Sequence, residues 1–515
     1  MCGIACIAGD YTDTDKEEFK NMLDAMNYRG PDESSIKATP GCLLGHKRLS
    51  IIDVDSGIQP IHNEDKTAWI VCNGEIYNYK KLKKEHLGKH RFTCSSDSEV
   101  ALHMYEEYGK NCVNYLDGMF AFIISDSKHH SVFAARDPLG IKPLYYAKKD
   151  GKIYFTSELK CLYPLGVSIN EFPAGHYFTP EDGFVPYRTV KNLVKYKSPY
   201  GQDSPEEIKQ NIRHLLEKSV QKRLMADVPL GVLLSGGLDS SLIAAITAKY
   251  NKTGRPIHSF CIGLPGSADL KAAKEVADYI GTEHHEYIYT EQDVLEAIPR
   301  VIYHLESFEP SLVRSAIPTY FVSQLASKYV KVILSGEGAD ELFAGYAYME
   351  KIKDAKKLGC ELTRVLGSLH NINLQRMDRM SMANSLEGRV PFLDEDLVSY
   401  VLGLPPKLKL PHKKGTKKIE KWLLRDSFDE TGCLPADVLW RKKAEFSEGS
   451  GTKDFLDEAF DKCISDQELR IAAERILKED NIKIRSKQEL YFYRIFKTFY
   501  PSSSVANIVG HWAVA

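Results

Sequence analysis

The sequence lacks the features that mark membrane proteins, secreted proteins and proteins with a Cys-x-x-Cys zinc site. Its 515 residues contain no apolar run near the ~18 residues that a bilayer-spanning helix needs. No basic region followed by an apolar stretch opens the chain, so no secretory signal is predicted. The 11 cysteines include no Cys-x-x-Cys pair, which argues against a disulfide framework and a structural zinc site. We therefore expect a cytoplasmic protein, with no membrane partner, whose cysteines are mostly reduced and buried.

The chain also lacks an excess of charge of either sign. Its net charge is -2, with 43% hydrophobic and 27% charged residues, as in ordinary globular proteins. No nucleic acid or other polyanion is therefore predicted as a partner. A chain of this length exceeds what one hydrophobic core normally supports, so two or more domains are expected.

The sequence pattern divides the chain into two predicted domains. Residues 2–190 contain short β-rich segments, among them CGIACIA, GCLLGHKRLSII, FAFIISD and SVFAARD. Together with helical periodicity near 99–108, they predict stacked sheets with covering helices. A polar stretch at 191–207 is the expected boundary. Residues 208–515 alternate apolar strands with amphipathic helices and become mainly helical beyond 350, which predicts a doubly wound parallel α/β sheet.

Cys2 becomes the first residue of the chain if a processing enzyme removes Met1. Its thiol then lies beside its own α-amino group, which titrates near pH ~8 and is partly unprotonated near neutrality. A nucleophile and a base would share one residue. A small buried residue in a first strand is the alternative interpretation of the same cysteine.

GVLLSGGLDSS, at 231–241, is the most specific motif in the chain. An apolar strand leads directly into Ser-Gly-Gly, and a helix start follows. The glycines let backbone N–H groups approach an anion, the helix N-terminus adds its positive end, and the serine hydroxyls add donors. No Gly-Lys-Ser/Thr occurs in the chain, so a kinase or ATPase of the Walker type is excluded.

The phosphate-binding loop contains a carboxylate, and this predicts a cation. Asp239 would repel phosphate unless Mg²⁺ bridged the two. The segment ILSGEGADELFAGY also follows an apolar strand and supplies Glu337, Asp340 and Glu341. In doubly wound sheets such turns line the ligand crevice. Taken alone, the acidic segment also fits a solvated helix cap.

The pairing of MCGIACIAG with SGGLDSS resembles the glutamine-dependent asparagine synthetases, over nearly the whole chain. Further matching motifs are RGPDE, GHKRLSIID, CNGEIYN, SSDSE, ARDPLGIKPLYY and FTSELK in the first domain, and LPGSADLKAA, LSGEGADE, GRVPFLD and WRKKAEFSEG in the second. The family joins a glutaminase domain of the N-terminal-nucleophile type, an αββα sandwich, to an ATP-pyrophosphatase domain. The resemblance implies this architecture for residues 2–190 and 208–515.

In the first domain the resemblance implies that Cys2 attacks the side-chain amide of glutamine and forms a thioester, which water hydrolyses. Asn73 and Gly74 match the family positions for the oxyanion hole. Arg48 would pair with the α-carboxylate of glutamine, for which a guanidinium is suited. Asp97 and the region of Glu75 would face the α-amino group. The remaining residues implied at the glutamine site are Leu49, Ser50, Ile51 and Ile52.

In the second domain the resemblance implies adenylation, in which a carboxylate attacks the α-phosphorus of ATP and pyrophosphate leaves. Asp239 and Asp340 would hold Mg²⁺ on the pyrophosphate. Glu337 matches the position important for forming the acyl-adenylate, and Lys443 matches a lysine that neutralises charge developing on the phosphates. The implied ATP contacts are Leu234, Ser235, Gly236, Gly237, Asp239, Ser240, Ser241, Ile262, Ser335 and Gly336.

The coupled reaction that the resemblance implies converts aspartate, glutamine and ATP, through a β-aspartyl-AMP, to asparagine, glutamate, AMP and pyrophosphate. Ammonia would travel inside the protein, because in water it is protonated and loses its nucleophilicity. A homodimer is a further family expectation. Two alternatives stay open: an amidotransferase of the same fold that acts on a sugar or peptide carboxylate, and a non-catalytic sensor or storage protein. The segments 305–320 and 365–380 depart most from the family, which leaves the acceptor less specified than the reaction type.

Overall fold

The computed structural model describes residues 2–193, 203–414, 417–443 and 449–510. The first part of the chain forms twelve strands: β1 (Gly3–Ala8), β2 (Glu33–Thr39), β3 (Cys42–Arg48), β4 (Ile61–His62), β5 (Ala68–Ile76), β6 (Gly118–Asp126), β7 (Ser131–Arg136), β8 (Tyr145–Lys149), β9 (Lys152–Thr156), β10 (Ile169–Glu171), β11 (His176–Thr179) and β12 (Gly183–Pro186). They pair into two six-stranded sheets, in the orders β10-β8-β9-β1-β3-β2 and β12-β11-β7-β6-β5-β4. The predicted hairpins, β6 with β7 and β8 with β9, are confirmed.

The two sheets stack face to face, and helices cover their outer faces. The helices are α1 (Asp13–Asp24), α2 (Tyr79–His86), α3 (Ser98–Tyr108), α4 (Leu159–Leu162) and α5 (Val190–Leu193). Because side chains alternate across a strand, Ile4 of β1 packs with Val71 of the other sheet, while Ile7 packs with Phe19 of α1 on the opposite face. Val100 of α3 covers the second sheet. This four-layer order confirms the expected αββα sandwich.

The second part of the chain is built on a five-stranded, wholly parallel sheet. Its strands are β13 (Leu230–Leu233), β14 (His258–Gly263), β15 (Glu283–Ile288), β16 (Val332–Leu334) and β17 (Glu387–Arg389), and a short hairpin follows as β18 (His412–Lys414) and β19 (Lys417–Ile419). Its helices are α6 (Pro205–Lys222), α7 (Leu238–Tyr250), α8 (Ala268–Ile280), α9 (Glu291–Leu305), α10 (Pro310–Ala326), α11 (Ala339–Phe343), α12 (Ala355–Gly367), α13 (Asn373–Met382), α14 (Glu395–Gly403), α15 (Trp422–Phe428), α16 (Ala436–Leu439), α17 (Thr452–Cys463), α18 (Asp466–Asp480), α19 (Lys487–Phe499) and α20 (Ser503–Ala506).

The strand order β15-β14-β13-β16-β17 places a topological switch point between β13 and β16. The chain leaves β13 toward β14 and leaves β16 toward β17, in opposite directions. The loops after β13 and β16 therefore leave a crevice between them at the carboxyl edge of the sheet. Those loops are SGG after β13 and SGEG after β16. The doubly wound α/β fold expected from the sequence is confirmed.

Several smaller expectations can be compared with the structure. Helix α6 begins with the capping box in which Ser204 and Glu207 bond reciprocally, whereas most of the polar boundary, 194–202, lies outside the described residues. Strand β3 ends at Arg48, so the LSII part of the predicted strand is a loop instead. The 11 cysteines are all free thiols and most are buried. Within the described parts of the chain, helices long and apolar enough to cross a membrane are not found.

Two candidate active sites and the interface between them

Cys2 lies at the start of β1, buried at 8% exposure. Its backbone nitrogen, the atom that becomes the α-amine when Met1 is removed, donates to Asn73 Oδ1 at 3.0 Å. The N–H of Leu49 hydrogen-bonds to its thiol, but burial raises the pKa of that thiol above its ordinary value. The thiol is therefore protonated at neutral pH and needs a base before it can attack.

Asn73 and Gly74 follow each other in β5, beside Cys2. Asn73 Nδ2 is buried and has no hydrogen-bond partner among the described residues. Gly74 has φ +150°, and a Cβ there would lie 2.0 Å from the Met119 carbonyl oxygen, so only glycine fits. Two donors beside a buried thiol are the arrangement that stabilises an oxyanion.

The segment Arg48–Ile52 runs from the Cys2 site to the second domain. Arg48 is buried and donates to Glu33 Oε2 at 3.0 Å and to the Val54 carbonyl at 3.1 Å. Ser50 N–H donates to Asp32 Oδ2 at 2.8 Å, and the Ile51 carbonyl accepts from Asp227 N–H at 2.9 Å. The two domains thus meet at the predicted glutamine-binding segment.

Asp97 precedes α3, and its Oδ2 accepts the N–H of Ile76 at 2.6 Å. Burial, with a contribution from the charge of Glu387, raises the pKa of Asp97 to about 6. Its carboxylate therefore carries a full charge only above that pH.

This raised pKa predicts a pH dependence of glutamine use. Below about pH 6 Asp97 is protonated and cannot pair with a substrate ammonium group. In this range kcat/KM should therefore decrease by about a further tenfold per pH unit, in addition to the decrease that other groups cause. The measurement is the pH profile of glutaminase kcat/KM. In Asp97→Asn, kcat/KM should be lower and the profile should not steepen below pH 6. If the variant steepened as wild type does, another group would be responsible.

Two residues that the sequence analysis left without a role, Glu387 and Arg389, bring β17 of the second domain to the Cys2 site. Arg389 Nε donates to Glu387 Oε1 at 2.6 Å, and its Nη2 lies 3.5 Å from Glu75 Oε2. Burial and the negative charge of Glu387 raise the pKa of Glu75. The GRVPFLD motif that contains Arg389 was the available signal, but the motif did not show which site it serves.

Arg29 is the centre of a buried charge network that joins the two domains. Its Nε donates to the Cys2 carbonyl at 3.0 Å. Its Nη1 contacts Glu158 at 2.7 Å and Asp378 of α13 at 2.8 Å, with all three side chains at 3% exposure or less. Arg379, the next residue of α13, pairs with Glu306 at 2.9 Å. Helix α13 is therefore fastened to the Cys2 site through ion pairs shielded from water.

The second site is a cavity of about 600 Å³ at the switch point of the parallel sheet. It contains every residue predicted there from the sequence except Gly236, Ser241 and Glu341. Both divergent segments also reach it, through Ser311, Arg314 and Thr319 from 305–320 and Ile372, Asn373 and Arg376 from 365–380. The predicted residues that line it are Leu234, Ser235, Gly237, Asp239, Ser240, Ile262, Ser335, Gly336, Glu337, Asp340 and Lys443.

The loop after β13 turns sharply because of Gly236, which has φ +68° and whose added Cβ would lie 2.5 Å from the backbone of Ala272. Helix α7 starts two residues later, with its N-terminus at the cavity. The hydroxyl of Ser241 is fully buried without a partner among the described residues, so we leave it out of the proposed phosphate contacts.

Two lysines bind the carboxylates in the cavity. Lys421 Nζ contacts both Asp239 and, at 2.6 Å, Asp340 Oδ1, and Lys443 Nζ contacts Asp340 Oδ1 at 2.6 Å. Although burial opposes it, these two positive charges lower the pKa of Asp340 below its ordinary value. Sequence reasoning missed Lys421, since no motif contains it. The last part of the motif around Lys443, residues 444–448, lies outside the described residues.

Glu337, from the loop after β16, and Arg376, from α13, both line the cavity and form an ion pair. Arg376 Nε is buried without a partner in the described structure. Nearby, Glu341 accepts from Tyr346 at 2.5 Å, and burial together with the charge of Asp340 raises the pKa of Glu341 to about 7. The cavity therefore combines cations, acids and a helix N-terminus, as a site for a triphosphate and a carboxylate requires.

Two family models match this chain. The family model of the glutamine amidotransferase domain matches residues 1–197, and that of asparagine synthase matches residues 211–359 and 350–500. Asparagine synthetase [glutamine-hydrolyzing] 2 of Arabidopsis thaliana is 40% identical over an alignment of 536 positions, which covers 100% of this chain and 90% of that protein. A probable asparagine synthetase [glutamine-hydrolyzing] of Dictyostelium discoideum is 39% identical over 539 residues, spanning 99% of this chain and 96% of that protein.

Among solved structures, a glutamine phosphoribosylpyrophosphate amidotransferase from B. subtilis aligns over 56% of this chain and 81% of its own, with 16% identity and a TM-score of 0.33. That similarity is too weak to add to the fold described above. The sequence relatives are decisive, because they extend over both sites and the interface. The chain belongs to the family of glutamine-hydrolysing asparagine synthetases.

Proposed function

We propose that this protein makes asparagine from aspartate, with nitrogen from glutamine and energy from ATP. One observation supports the proposal above others: helix α13 contacts both sites. Its Asp378 pairs with Arg29, which holds Cys2, and its Arg376 pairs with Glu337 in the cavity. Glutaminase chemistry is proposed for residues 2–190 and ATP-dependent amidation for residues 208–515.

At the first site, Cys2 would attack the amide carbon of glutamine. The thiol is neutral, so its proton must leave during the attack, and the α-amine would accept it while one of its N–H groups stays on Asn73 Oδ1. Asn73 Nδ2 and the N–H of Gly74 would donate to the developing oxyanion. When the intermediate collapses, the α-ammonium would return the proton to the amide nitrogen, which leaves as ammonia. The thioester that remains would be hydrolysed by water to glutamate. Arg48 and Asp97 would hold the α-carboxylate and α-ammonium groups.

At the second site, the β-carboxylate of aspartate would attack the α-phosphorus of ATP and form β-aspartyl-AMP, with pyrophosphate leaving. The N-terminus of α7, with Ser235 and Ser240, would bind the pyrophosphate. Lys443 would stabilise the negative charge that builds up on it. Glu337 and Arg376 would position the aspartate. Ammonia would then attack the acyl carbon and release AMP.

The carboxylates of the cavity fit a magnesium ion. Asp239 Oδ1 is buried and lacks a hydrogen-bond partner among the described residues, and Asp340 shares a cation with Asp239 in the structure. Carboxylate oxygens are the protein ligands that Mg²⁺ prefers. Asp239 and Asp340 would hold the ion, which would neutralise charge on the phosphates of ATP.

Transfer of ammonia requires an apolar route between the sites, and the domain interface supports one. A single cluster of buried apolar side chains runs through both domains, including Ile51, Met119 and Ile141 from the first and Met377 and Val390 from the second. Such a surface offers no proton to ammonia, which would therefore stay unprotonated and nucleophilic.

The proposal is tested with purified protein, glutamine, ATP and Mg²⁺ against a panel of carboxylates. We expect aspartate to be the one carboxylate of the panel with which AMP, pyrophosphate and an amidated product form, in equal amounts. Turnover without aspartate, or with a sugar or peptide carboxylate in its place, would overturn the proposed acceptor while leaving the reaction type intact. ADP in place of AMP would overturn the adenylation.

Replacing Lys421 with methionine (Lys421→Met) tests the electrostatics of the cavity. Asp239 and Asp340 would lose their shared positive charge, so synthesis from either glutamine or ammonia should fall on the order of 10²-fold. Glutamine hydrolysis, which takes place in the other domain, should persist. Lys418→Met, at an exposed position of β19, the strand that precedes Lys421, is the matched control. Equal losses in both variants would contradict the assigned role.

A further inference from the structure

A group of metal-ligating side chains lies in the first domain, outside both sites described above. Glu64 belongs to the turn between β4 and β5, His90 to the loop after α2, and His103 and Glu106 to α3. One ligand atom from each lies within 4.8 Å of all the others. We propose that these four residues bind a divalent transition metal ion of the zinc class, which fastens the loop 87–97 to α3.

The distances within the group suit one small ion. His90 Nδ1 is 3.1 Å from Glu64 Oε1 and 3.8 Å from Glu106 Oε2. His103 Nδ1 is 2.7 Å from Glu106 Oε2 and 3.9 Å from Glu64 Oε2. Tetrahedral zinc with bonds of about 2.0–2.2 Å keeps its ligand atoms roughly 3.3–3.6 Å apart. The four observed separations lie on either side of that value, so small side-chain movements would complete the geometry.

A second observation, on the far side of each imidazole, supports the same conclusion. His103 Nε2 lies 3.5 Å from Glu99 Oε1, and His90 Nε2 lies 3.2 Å from Glu107 Oε1. Histidines that bind metals usually direct their other ring nitrogen to a carboxylate, which fixes the tautomer and the ring orientation. His90 therefore has the hydrogen-bonded outer partner that is typical of a metal ligand. His103 Nε2 is buried beside Glu99 but makes no hydrogen bond among the described residues.

The charges of the group also favour a cation. Four glutamate side chains surround two imidazoles whose ring centroids are 4.3 Å apart. Protonating both rings would place two positive charges in contact, whereas one divalent ion between them balances two carboxylates without that repulsion. Two imidazole nitrogens favour zinc and its neighbours over magnesium or calcium, which select oxygen ligands.

The location indicates what the ion would do. It would join the turn at Glu64, the loop at His90 and helix α3, and this loop ends at Asp97, whose carboxylate is bonded to Ile76 N–H. Glu99 already holds the same loop by accepting from Thr93 N–H at 2.6 Å. Binding of the metal should therefore lower the KM for glutamine. This effect on KM rests on the proposed glutamine site, whereas the proposal that the metal binds does not depend on that site.

The test is titration of the metal-stripped full-length protein with zinc chloride alone, by calorimetry, and with cobalt chloride, by visible absorption. We expect wild type to bind one equivalent at this site, with the intense absorption of tetrahedral cobalt. His90→Gln should lose that equivalent, and Glu107→Gln should bind about 10- to 100-fold more weakly. His129→Gln, which removes an exposed histidine paired with Asp126 at 2.6 Å, is the matched control and should bind as wild type does.

Folding of each variant is checked by circular dichroism and by equilibrium unfolding in urea. A competing histidine group lies at the edge of the parallel sheet, formed by His258, Glu283 and His285, and His258→Gln tests it. If zinc binding survived in folded His90→Gln and was lost in His258→Gln, the proposed site would be wrong. Absence of binding to wild type would equally overturn it.

Discussion

Cys2→Ala is expected to abolish the use of glutamine while synthesis of asparagine from added ammonium continues. The thiol supplies the bond that holds the glutamyl group, and loss of a covalent nucleophile costs on the order of 10⁶-fold in rate. The cavity of the second domain contains no part of Cys2, so adenylation of aspartate should proceed. The measurements are glutamate release and asparagine formation, each with glutamine or with ammonium as the nitrogen source.

Cys6→Ala is the matched control, because Cys6 is a fully buried cysteine of β1 whose thiol contacts the thiol of Cys42 at 3.5 Å. It should retain glutaminase activity. Loss of both activities in Cys2→Ala would show that Cys2 is structural or that the two sites cannot be separated. A mass spectrum of the active protein should also lack Met1, since the proposed base exists only when the amine of Cys2 is free.

Arg29→Met is expected to weaken the union of the two domains. It would leave Glu158 and Asp378 buried at 3% exposure or less without their cation, and breaking such a pair typically costs about 3–5 kcal/mol. The Cys2 carbonyl would also lose its donor. Equilibrium unfolding in urea measures the fall in the free energy of unfolding.

The same variant should uncouple the two reactions. With glutamine labelled in its amide nitrogen and unlabelled ammonium in solution, wild type should place the label in asparagine and form one glutamate per asparagine. Arg29→Met should form more glutamate and admit unlabelled nitrogen.

Arg188→Met is the control for the charge network. Arg188 also pairs with the second domain, through Glu395 at 2.5 Å, but its side chain is 25% exposed, so its loss should cost about 1 kcal/mol or less. Free exchange of ammonium into asparagine in wild type would contradict the enclosed route. If unlabelled nitrogen entered asparagine equally in both arginine variants, Arg29 would have no specific role in enclosing the ammonia route.

The sequence predicted the local features well. The alternation of GIACIA, the capping box at Ser204 and the Ser-Gly-Gly turn before α7 each depend on residues close together in the chain, whose periodicity and turn chemistry act over a few positions. The loop after Arg48 was wrongly predicted as strand, because its apolar residues Leu49 and Ile51 are buried at the domain interface, in the larger cluster. Periodicity records that a residue is buried, not which partner buries it.

The glutamine and ATP residues were predicted from motifs, and the structure brings most of them together. Three of the residues missed, namely Lys421, Arg376 and Arg29, pair with carboxylates 39 to 349 positions away in the sequence. The fourth, Glu387, acts through its charge on Glu75 of the other domain. Buried charges carry no local signal, because they are stable only once a distant partner compensates them.

The sequence by itself predicted that Cys2 could be a nucleophile, that SGGLDSS could bind an anion, and that the chain has two domains of different fold. The first two predictions follow from chemistry contained in one residue or one short turn, and the third follows from the strand and helix periodicity along the chain. The tertiary structure decided that β17 and α13 of the second domain complete the Cys2 site, that Lys421 joins Asp239 to Asp340, and that His90 meets His103. These depend on contacts between distant segments, and such contacts form only when the hydrophobic cores fold and exclude water from the charges between them.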